Sequence, residues 1–211
     1  MTLLVPLFLG FVTAFIGIIP PGLINMTAAK VNLKEGKKNA VSFVLGAVLV
    51  ITFQVSLAIF FARSINARPD LVILLREIGF VIFTMLTIYF LGIAKKPKLK
   101  ESKNNHRSKK RRFFLGMLLS ALNFFPIPYY VFVSITLASY HLISFETNYI
   151  TIFVSGAVLG SFVAFYTYIF LFRKIEKKTD SILENMNIII GTITGVVAFL
   201  TLINIAKYYF E

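Results

Sequence analysis

The chain has 211 residues, of which 57% are hydrophobic and only 15% are charged, and its formal net charge is +13. This composition excludes an ordinary soluble domain, in which about a quarter of the residues are charged. The chain has no cysteine, which excludes disulfides, thiolate nucleophiles and thiolate metal sites. A strong positive charge is also typical of nucleic-acid-binding proteins. Here the basic residues fall in short runs between long apolar stretches, a pattern that favours loops at a lipid surface, and we expect no nucleic-acid partner.

Apolar stretches long enough to cross a bilayer follow one another along the chain. A hydrocarbon core of about 30 Å takes roughly 20 helical residues to cross, and in lipid only a helix satisfies the hydrogen bonds of its own backbone. The first stretch is too long for a signal peptide and lacks a preceding basic segment, so we treat it as a span. The sequence therefore predicts an all-α polytopic membrane protein with six spans, at about residues 3–28, 40–62, 71–94, 113–139, 149–172 and 182–206.

Charge separates the two sides of the predicted membrane protein. Eighteen of the 22 Lys and Arg residues lie in the loops that follow spans one, three and five. The positive-inside rule places these loops in the cytoplasm and both termini outside. The longest loop, residues 95–112, is predicted to be a solvated topology anchor, with partner binding as the alternative. The first of these loops is predicted to contain Lys30, Lys34, Lys37 and Lys38.

The two halves of the chain are similar to each other. The segment Phe-Val-Leu-Gly-Ala-Val-Leu from Phe43 reappears 110 residues later as Phe-Val-Ser-Gly-Ala-Val-Leu from Phe153. A similar offset relates span three to span six, with Gly79 matching Gly191. These matches predict two three-helix repeats, residues 1–94 and 113–211, separated by the basic loop 95–112. Because each repeat has an odd number of spans, the second is inverted, as in many secondary transporters.

Helix-breaking residues lie within the first span of each repeat. Span one contains Pro20, Pro21 and Gly22, and span four contains Asn123 followed by Pro126. Proline in a helix interior costs about 3 kcal/mol, because it removes a hydrogen bond and clashes with the preceding turn. We expect both helices to open there. Opened backbone at membrane depth is tolerated only inside protein or along a wet cavity.

Paired breaks of this kind indicate a transporter site near the midplane, where the halves meet. Half-helix N-termini would attract a carboxylate and loose carbonyls an ammonium group, which together suit an amino-acid zwitterion. The alternative is a pair of static kinks whose amides are bound to neighbouring helices. The predicted substrate-binding residues are Pro20, Pro21, Gly22, Asn25, Thr27, Gln54, Asn123, Pro126 and Tyr129.

Other chemistry is not indicated by the sequence. All nine acidic residues lie in loops or near span ends, with Glu77 the closest to an embedded position. There is no Walker-type phosphate loop, zinc motif or nucleophile elbow, so neither an enzyme nor a cofactor is expected. The spacings Gly156–Gly160 and Gly191–Gly195 are typical of helix packing.

The sequence resembles the LysE/RhtB family of bacterial amino-acid exporters over nearly its whole length. Residues 17–22, Gly-Ile-Ile-Pro-Pro-Gly, take the place of the family's Pro-Gly-Pro element, and Gly36 and Gly46 fit its glycine-bearing stretch. Asn123 matches the family's Asn-Pro-Lys, but Phe124-Phe125 replaces Pro-Lys. The resemblance implies a multi-pass protein of the bacterial cytoplasmic membrane that exports amino acids or similar small solutes. It also implies coupling to the proton-motive force and no tight cofactor, and it is compatible with a homodimer.

Transport of this kind predicts alternating access, in which one half rocks against the other around a midplane site. Two other functions stay open at this point. One is a cation or metal exporter of the same superfamily, which the lack of deeply placed carboxylates and histidines disfavours. The other is a non-transporting membrane scaffold that acts through the basic loop 95–112.

Overall fold

The computed structural model describes residues 3–20, 22–94, 108–175 and 185–210, and across these ranges it is helical with no strand. The sequence prediction of an all-α protein is confirmed. The helices are α1 (Leu4–Ile18), α2 (Leu23–Glu35), α3 (Lys37–Asn66), α4 (Pro69–Ile88, continued by a π-helical turn at Tyr89–Ile93), α5 (Lys109–Ala121), α6 (Pro126–Ser139), α7 (Thr147–Ile175) and α8 (Met186–Phe210).

Length and composition allow up to six of these segments to cross a membrane. α3, α4 with its π-helical turn, α7 and α8 each contain one long apolar span. The other two spans are broken: α1 and α2 are bent by 78° at their junction, and α5 and α6 by 61°. Both bends coincide with the predicted breaks, so the positions of the proline-containing interruptions are confirmed.

The predicted basic loop after span one is wrong, since its lysines are helical. α2 continues to Glu35 and α3 begins at Lys37, so that only Gly36 lies between them. Gly36 has φ of +84°, a conformation that glycine adopts without strain. Lys30 and Lys34 therefore lie on α2, and Lys37 and Lys38 on α3. Lysine is a good helix former and its long side chain reaches the membrane surface from a helix end, which is why charge did not mark a loop.

Other predicted boundaries also shift. α5 begins at Lys109, several residues before the predicted start of span four, and the Ser108 side chain caps it by accepting from the Arg111 backbone N–H at 3.4 Å. α7 extends to Ile175, and α8 runs from Met186 to Phe210, so its two ends both lie later than predicted. Most of the predicted basic loop, residues 95–107, lies outside the described residues.

The helices form two compact units. The first contains α1, α2, α5, α6, α7 and α3 as far as Arg63; the second contains the end of α3, α4 and α8. Each unit thus takes helices from both predicted sequence repeats. In the second unit α4 packs on α8, where the Thr87 hydroxyl donates to the Thr194 hydroxyl at 2.9 Å. Gly195 lies against the Thr87 side chain, so its predicted packing role is confirmed.

Glycines bring the backbones of the first unit into direct contact. A Cβ atom on Gly46 of α3 would overlap the Phe113 carbonyl of α5, and one on Gly116 of α5 would overlap the Phe43 carbonyl of α3. Small residues permit such close approach between helices in lipid, where van der Waals packing drives association. α3 and α5 are therefore held together along their backbones.

The same reciprocal arrangement joins α1 to α7. A Cβ atom on Gly10 of α1 would overlap the Phe153 carbonyl of α7, and one on Gly156 of α7 would overlap the Leu7 carbonyl of α1. Gly160 faces the next turn of α1 in the same way, so the predicted packing role of Gly156 and Gly160 is confirmed. These contacts fix α1 and α7 as a second backbone-packed pair.

Candidate functional site

The first break lies between Ile18, where α1 ends, and Leu23, where α2 begins. Asn25 is 5% exposed, and its Nδ2 donates to the Ile18 carbonyl at 2.5 Å and to the Pro20 carbonyl at 2.9 Å. Carbonyls at the end of a helix lack intrahelical donors and need other partners when buried. Asn25 supplies them, and in this conformation it stabilises the broken backbone. Pro21, also a predicted site residue, lies outside the described residues.

A tyrosine from α7 also holds the first break. The Tyr168 hydroxyl donates to the Ile19 carbonyl. Sequence reasoning missed this residue. The available signal was a pair of tyrosines, Tyr166 and Tyr168, near the end of predicted span five. Partners of this kind are needed wherever a helix in lipid is interrupted.

The second break lies between Ala121, where α5 ends, and Pro126, where α6 begins. Gln54 of α3 is 7% exposed, and its Nε2 donates to the Asn123 carbonyl at 2.8 Å and to the Ser120 carbonyl at 3.2 Å. The Asn123 side chain accepts from the Phe125 N–H at 3.3 Å and so stabilises its own turn. Two predicted site residues, Gln54 and Asn123, are therefore brought together at this break.

Tyr129 links the second broken span to the first. Its hydroxyl donates to the Thr13 carbonyl of α1 at 2.8 Å. Its ring lies against Gly17, where a Cβ atom would approach Tyr129 Cε1 to 3.1 Å. The first turn of α6 therefore packs on the last turns of α1, which places parts of the two predicted broken spans side by side.

The remaining predicted residues have more local roles. The Thr27 hydroxyl donates to the Leu23 carbonyl of its own helix at 2.6 Å. Pro20, Gly22 and Pro126 are partly buried and act through the backbone, by ending or starting a helix. Thus Asn25, Gln54 and Asn123 form hydrogen bonds at the breaks and Tyr129 joins the two broken spans, whereas the Thr27 hydroxyl bonds its own helix.

Two buried polar atoms at the second break have no hydrogen-bond partner among the described residues. They are Gln54 Oε1 and the hydroxyl of Ser120, a residue that is fully buried. Most buried polar groups in proteins are paired, and an unpaired one costs about 1–3 kcal/mol. An acceptor and a hydroxyl in this position are able to bind a donor group from a ligand. Ser120 was missed at the sequence level, although it lies three residues before Asn123.

The groups around the two breaks are neutral. The side chains that hydrogen-bond the broken backbone are three amides and one phenol, those of Asn25, Gln54, Asn123 and Tyr168. Within the described ranges, no group of three or more His, Cys, Asp or Glu side chains could hold a metal ion. This set of donors and acceptors suits a neutral or zwitterionic molecule that forms hydrogen bonds.

These features define an all-helical, multi-pass membrane protein with two discontinuous spans, in which side chains of α3 and α7 donate hydrogen bonds to carbonyls at the breaks. The family model described as LysE type translocator matches residues 15–204, and the chain belongs to this family. Its members are transporters and not enzymes, and the protein is accordingly a membrane transporter of small solutes. No curated protein and no solved structure shows significant similarity to the chain.

Proposed function

We propose that this protein exports amino acids or similar small zwitterionic solutes across the bacterial cytoplasmic membrane, by alternating access around its two broken spans. The observation that carries the proposal is the pairing of the breaks. Each interrupts the first span of a predicted repeat, and a polar side chain from a long helix contacts each one. Paired discontinuous helices are the usual construction of a secondary-transporter site.

The first break offers a binding position for the carboxylate of such a solute. The N-cap of α2 is Gly22, and no side chain caps this end. The first N–H groups of a helix lack intrahelical partners, and the helix dipole adds partial positive charge there. A carboxylate in contact with these N–H groups would be stabilised in the manner of many anion sites.

The second break offers a binding position for the ammonium group. Gln54 Oε1 and the Ser120 hydroxyl are buried, have no partner in the described part of the chain, and can both accept hydrogen bonds. The nearby carbonyls of Ser120 and Asn123 already accept from Gln54 Nε2 and could exchange that donor for an ammonium. Because neutral protein groups would bind both charged ends of the solute, its affinity would be low enough for release on the opposite side of the membrane.

The inverted-repeat arrangement is part of this proposal, and the glycine contacts support it. Exchanging the two halves maps the Gly10–Phe153 contact onto Gly116–Phe43. Gly10 and Gly116 lie in corresponding predicted spans, and Phe153 follows Phe43 by 110 residues. The Leu7–Gly156 contact maps onto Phe113–Gly46 in the same way. These matching pairs of contacts support the assignment of the two halves as repeats.

Efflux from proteoliposomes tests the function. Vesicles containing the purified protein are loaded with a panel of neutral, basic and acidic amino acids, and efflux is followed with and without a pH gradient. We expect one chemical class to leave faster than from protein-free vesicles, and faster still with the gradient. Failure of every amino acid to move, in protein that remains monodisperse, would refute the proposal.

A pair of serine variants tests the site. Ser120→Ala removes an unpaired buried hydroxyl, whereas Ser155→Ala removes a hydroxyl that bonds only its own helix, to Thr151 O at 2.8 Å. We expect Ser120→Ala to weaken transport by about tenfold, as for loss of one hydrogen bond of about 1.4 kcal/mol, and Ser155→Ala to have no effect. Equal transport by the two variants would place the site elsewhere.

A further inference from the structure

The first turns of α3 and α5 lie side by side in the first unit. The Ser42 hydroxyl of α3 donates to the Lys109 carbonyl of α5 at 2.8 Å. About one turn further along each helix, a Cβ atom on Gly46 would overlap the Phe113 carbonyl. Because the contacts advance in the same direction on both helices, α3 and α5 run parallel and begin at the same face of the unit.

Positive charge is concentrated on these two first turns. Glu35 is the only acidic residue in the sequences of α2, α3 and α5, and its carboxylate accepts from Arg112 Nε at 2.6 Å in a largely buried ion pair. Lys37 faces α7, since its Nζ lies 4.9 Å from the centre of the Tyr166 ring. The other basic side chains of the two turns are exposed, and these are Lys38, Lys109, Lys110 and Arg111.

An exposed apolar stripe continues each basic turn along its helix. Residues spaced by three, four or seven positions share one face of a helix. By this spacing, the exposed side chains form one stripe of Lys110, Phe114 and Leu118 on α5, and one of Lys38, Leu45 and Leu49 on α3. Their apolar members are between 41% and 55% exposed. Ser42 has the same spacing on α3, and its bond to Lys109 places the α3 stripe beside α5.

We propose that the two stripes together bind one anionic phospholipid molecule, with its phosphate between Lys38 and Lys110 and its acyl chains along the apolar residues. Lys38 precedes Ser42 by one helical turn and Lys110 directly follows Lys109, so the two ammonium groups can reach the same phosphate. The apolar part of each stripe then extends from this phosphate in the direction of the acyl chains, because both helices run from the basic turn into the membrane.

The charges and the stripes together select this class of ligand. An acidic peptide or a nucleic acid would complement the basic turns but would leave the apolar stripes uncovered. A zwitterionic phospholipid would cover the stripes, but its ammonium group would need a carboxylate, and Glu35 is already bound to Arg112. An anionic phospholipid satisfies both features, and clusters of lysine and arginine at a membrane surface attract such lipids. Its binding involves no transported solute, so the proposal is independent of the transport function.

Tryptophan quenching tests the lipid preference of this surface. The chain has no tryptophan, so Phe114→Trp provides a single reporter in the α5 stripe, and Leu118→Trp provides a second if the first variant does not fold. The variant is reconstituted in phosphatidylcholine bilayers, and phosphatidylglycerol or phosphatidylcholine with brominated acyl chains is added in increasing proportion. Bromine quenches an indole that it contacts. We expect half-maximal quenching at a mole fraction at least about fivefold lower for the brominated phosphatidylglycerol.

Lysine variants show whether the proposed phosphate position creates the preference. Lys38→Gln with Lys110→Gln should lose it, so that both brominated lipids quench equally, whereas Lys38→Arg with Lys110→Arg retains both charges and should keep it. Lys37→Gln is the matched control: it removes a charge from the same turn, but that ammonium lies over the Tyr166 ring, so the preference should persist. Unchanged quenching by phosphatidylcholine indicates that each variant is folded. A preference that survives Lys38→Gln with Lys110→Gln would overturn the proposal.

A reporter on another helix separates a specific site from a general attraction of anionic lipid. Phe8 is exposed on α1, whose sequence has no charged residue. Phe8→Trp should therefore be quenched equally by the two brominated lipids, and an equal preference for phosphatidylglycerol at Phe8 and Phe114 would overturn the proposal. Absence of quenching of Phe114→Trp by either lipid, in folded protein, would mean that a protein surface such as a second copy of this chain covers the stripes, and it would also overturn the proposal.

Discussion

Gly46 of α3 and Gly116 of α5 lie against each other's helix backbones, each facing the carbonyl of the residue three positions before the other. Those carbonyls belong to Phe113 and Phe43. Phe43 is fully buried, so the contact is part of the core of the first unit. Because each glycine lies against a carbonyl of the other helix, neither helix can shift along the other without a clash. The two helices therefore pack as one rigid pair.

Adding a methyl group at this contact should destabilise the protein. Gly46→Ala or Gly116→Ala places a Cβ atom where a backbone carbonyl lies, and backbone cannot rotate away as a side chain can. We expect a loss of about 1–3 kcal/mol, seen as a lower midpoint of thermal unfolding in detergent. Gly79→Ala is the matched control, because nothing lies within 4 Å of the added atom. Equal midpoints for Gly46→Ala and Gly79→Ala would contradict the packing.

Loss of the amide at Gln54 should impair the second break. Gln54→Leu keeps much of the side-chain volume but leaves the Asn123 carbonyl without its side-chain donor, and the Ser120 carbonyl with only the Asn123 backbone N–H. Buried unpaired carbonyls cost about 1–3 kcal/mol, and we expect transport to fall at least about tenfold. Ser56→Ala, further along α3, removes a hydroxyl that bonds the Thr52 carbonyl of its own helix and should transport normally. A fully active Gln54→Leu variant would argue against the proposed site.

Removal of one hydroxyl should loosen the first break. Tyr168→Phe deletes the donor to the Ile19 carbonyl and leaves the ring in place. We expect faster amide hydrogen exchange over Leu23 to Asn25, by about fivefold to tenfold, which corresponds to a hydrogen bond of about 1 kcal/mol. In Tyr166→Phe the ring that lies 4.9 Å from Lys37 Nζ is retained, and exchange should stay as in the native protein. Equal protection in both variants would mean that Tyr168 does not stabilise the break.

Gly36, in the turn between α2 and α3, should not tolerate replacement by a larger residue, although there is free space for a Cβ atom. Nothing lies within 4 Å of a Cβ atom built on Gly36, but its φ of +84° with ψ of 164° is a conformation that L residues rarely adopt. We expect Gly36→Ala to cost about 1–3 kcal/mol through backbone strain, with thermal unfolding as the measurement. Gly92→Ala, also with nothing within 4 Å and without a positive φ, should be nearly neutral. A neutral Gly36→Ala would show that the turn adopts another conformation.

The broken spans could be located from the sequence because their causes are local. Proline lacks an N–H wherever it stands, so Pro20 and Pro126 predict interruptions without any knowledge of neighbours. Helix ends were less predictable: Lys37 and Lys109 both begin helices, although their charge was taken to mark loops. A basic residue indicates a position near the membrane surface, but it does not indicate that the helix ends there, because its long side chain reaches the surface from within a helix.

The candidate site was predicted only in part. Gln54 and Asn123 were expected near the breaks, and the Gln54 amide donates to the Asn123 carbonyl at the second break. Tyr168 and Ser120 were not expected, since one hydroxyl among many in apolar helices has no distinguishing local pattern. Tyr168 matters because its hydroxyl has a carbonyl partner, and Ser120 because its hydroxyl has none among the described residues. Such pairing depends on helices that are distant in the sequence.

The sequence by itself determined the class of the protein. Its long apolar stretches predict membrane-spanning helices, because a helix satisfies its own backbone hydrogen bonds in lipid. Prolines predict interruptions in two of these helices, and the matching segments predict two repeats. Only the tertiary structure decided which partners meet. Gln54 reaches a carbonyl 69 residues away, Asn32 one 137 residues away, and Glu35 an arginine 77 residues away. Hydropathy and proline chemistry belong to single segments, whereas a hydrogen bond or an ion pair requires two helices to lie side by side, and that depends on how the glycine-lined faces pack.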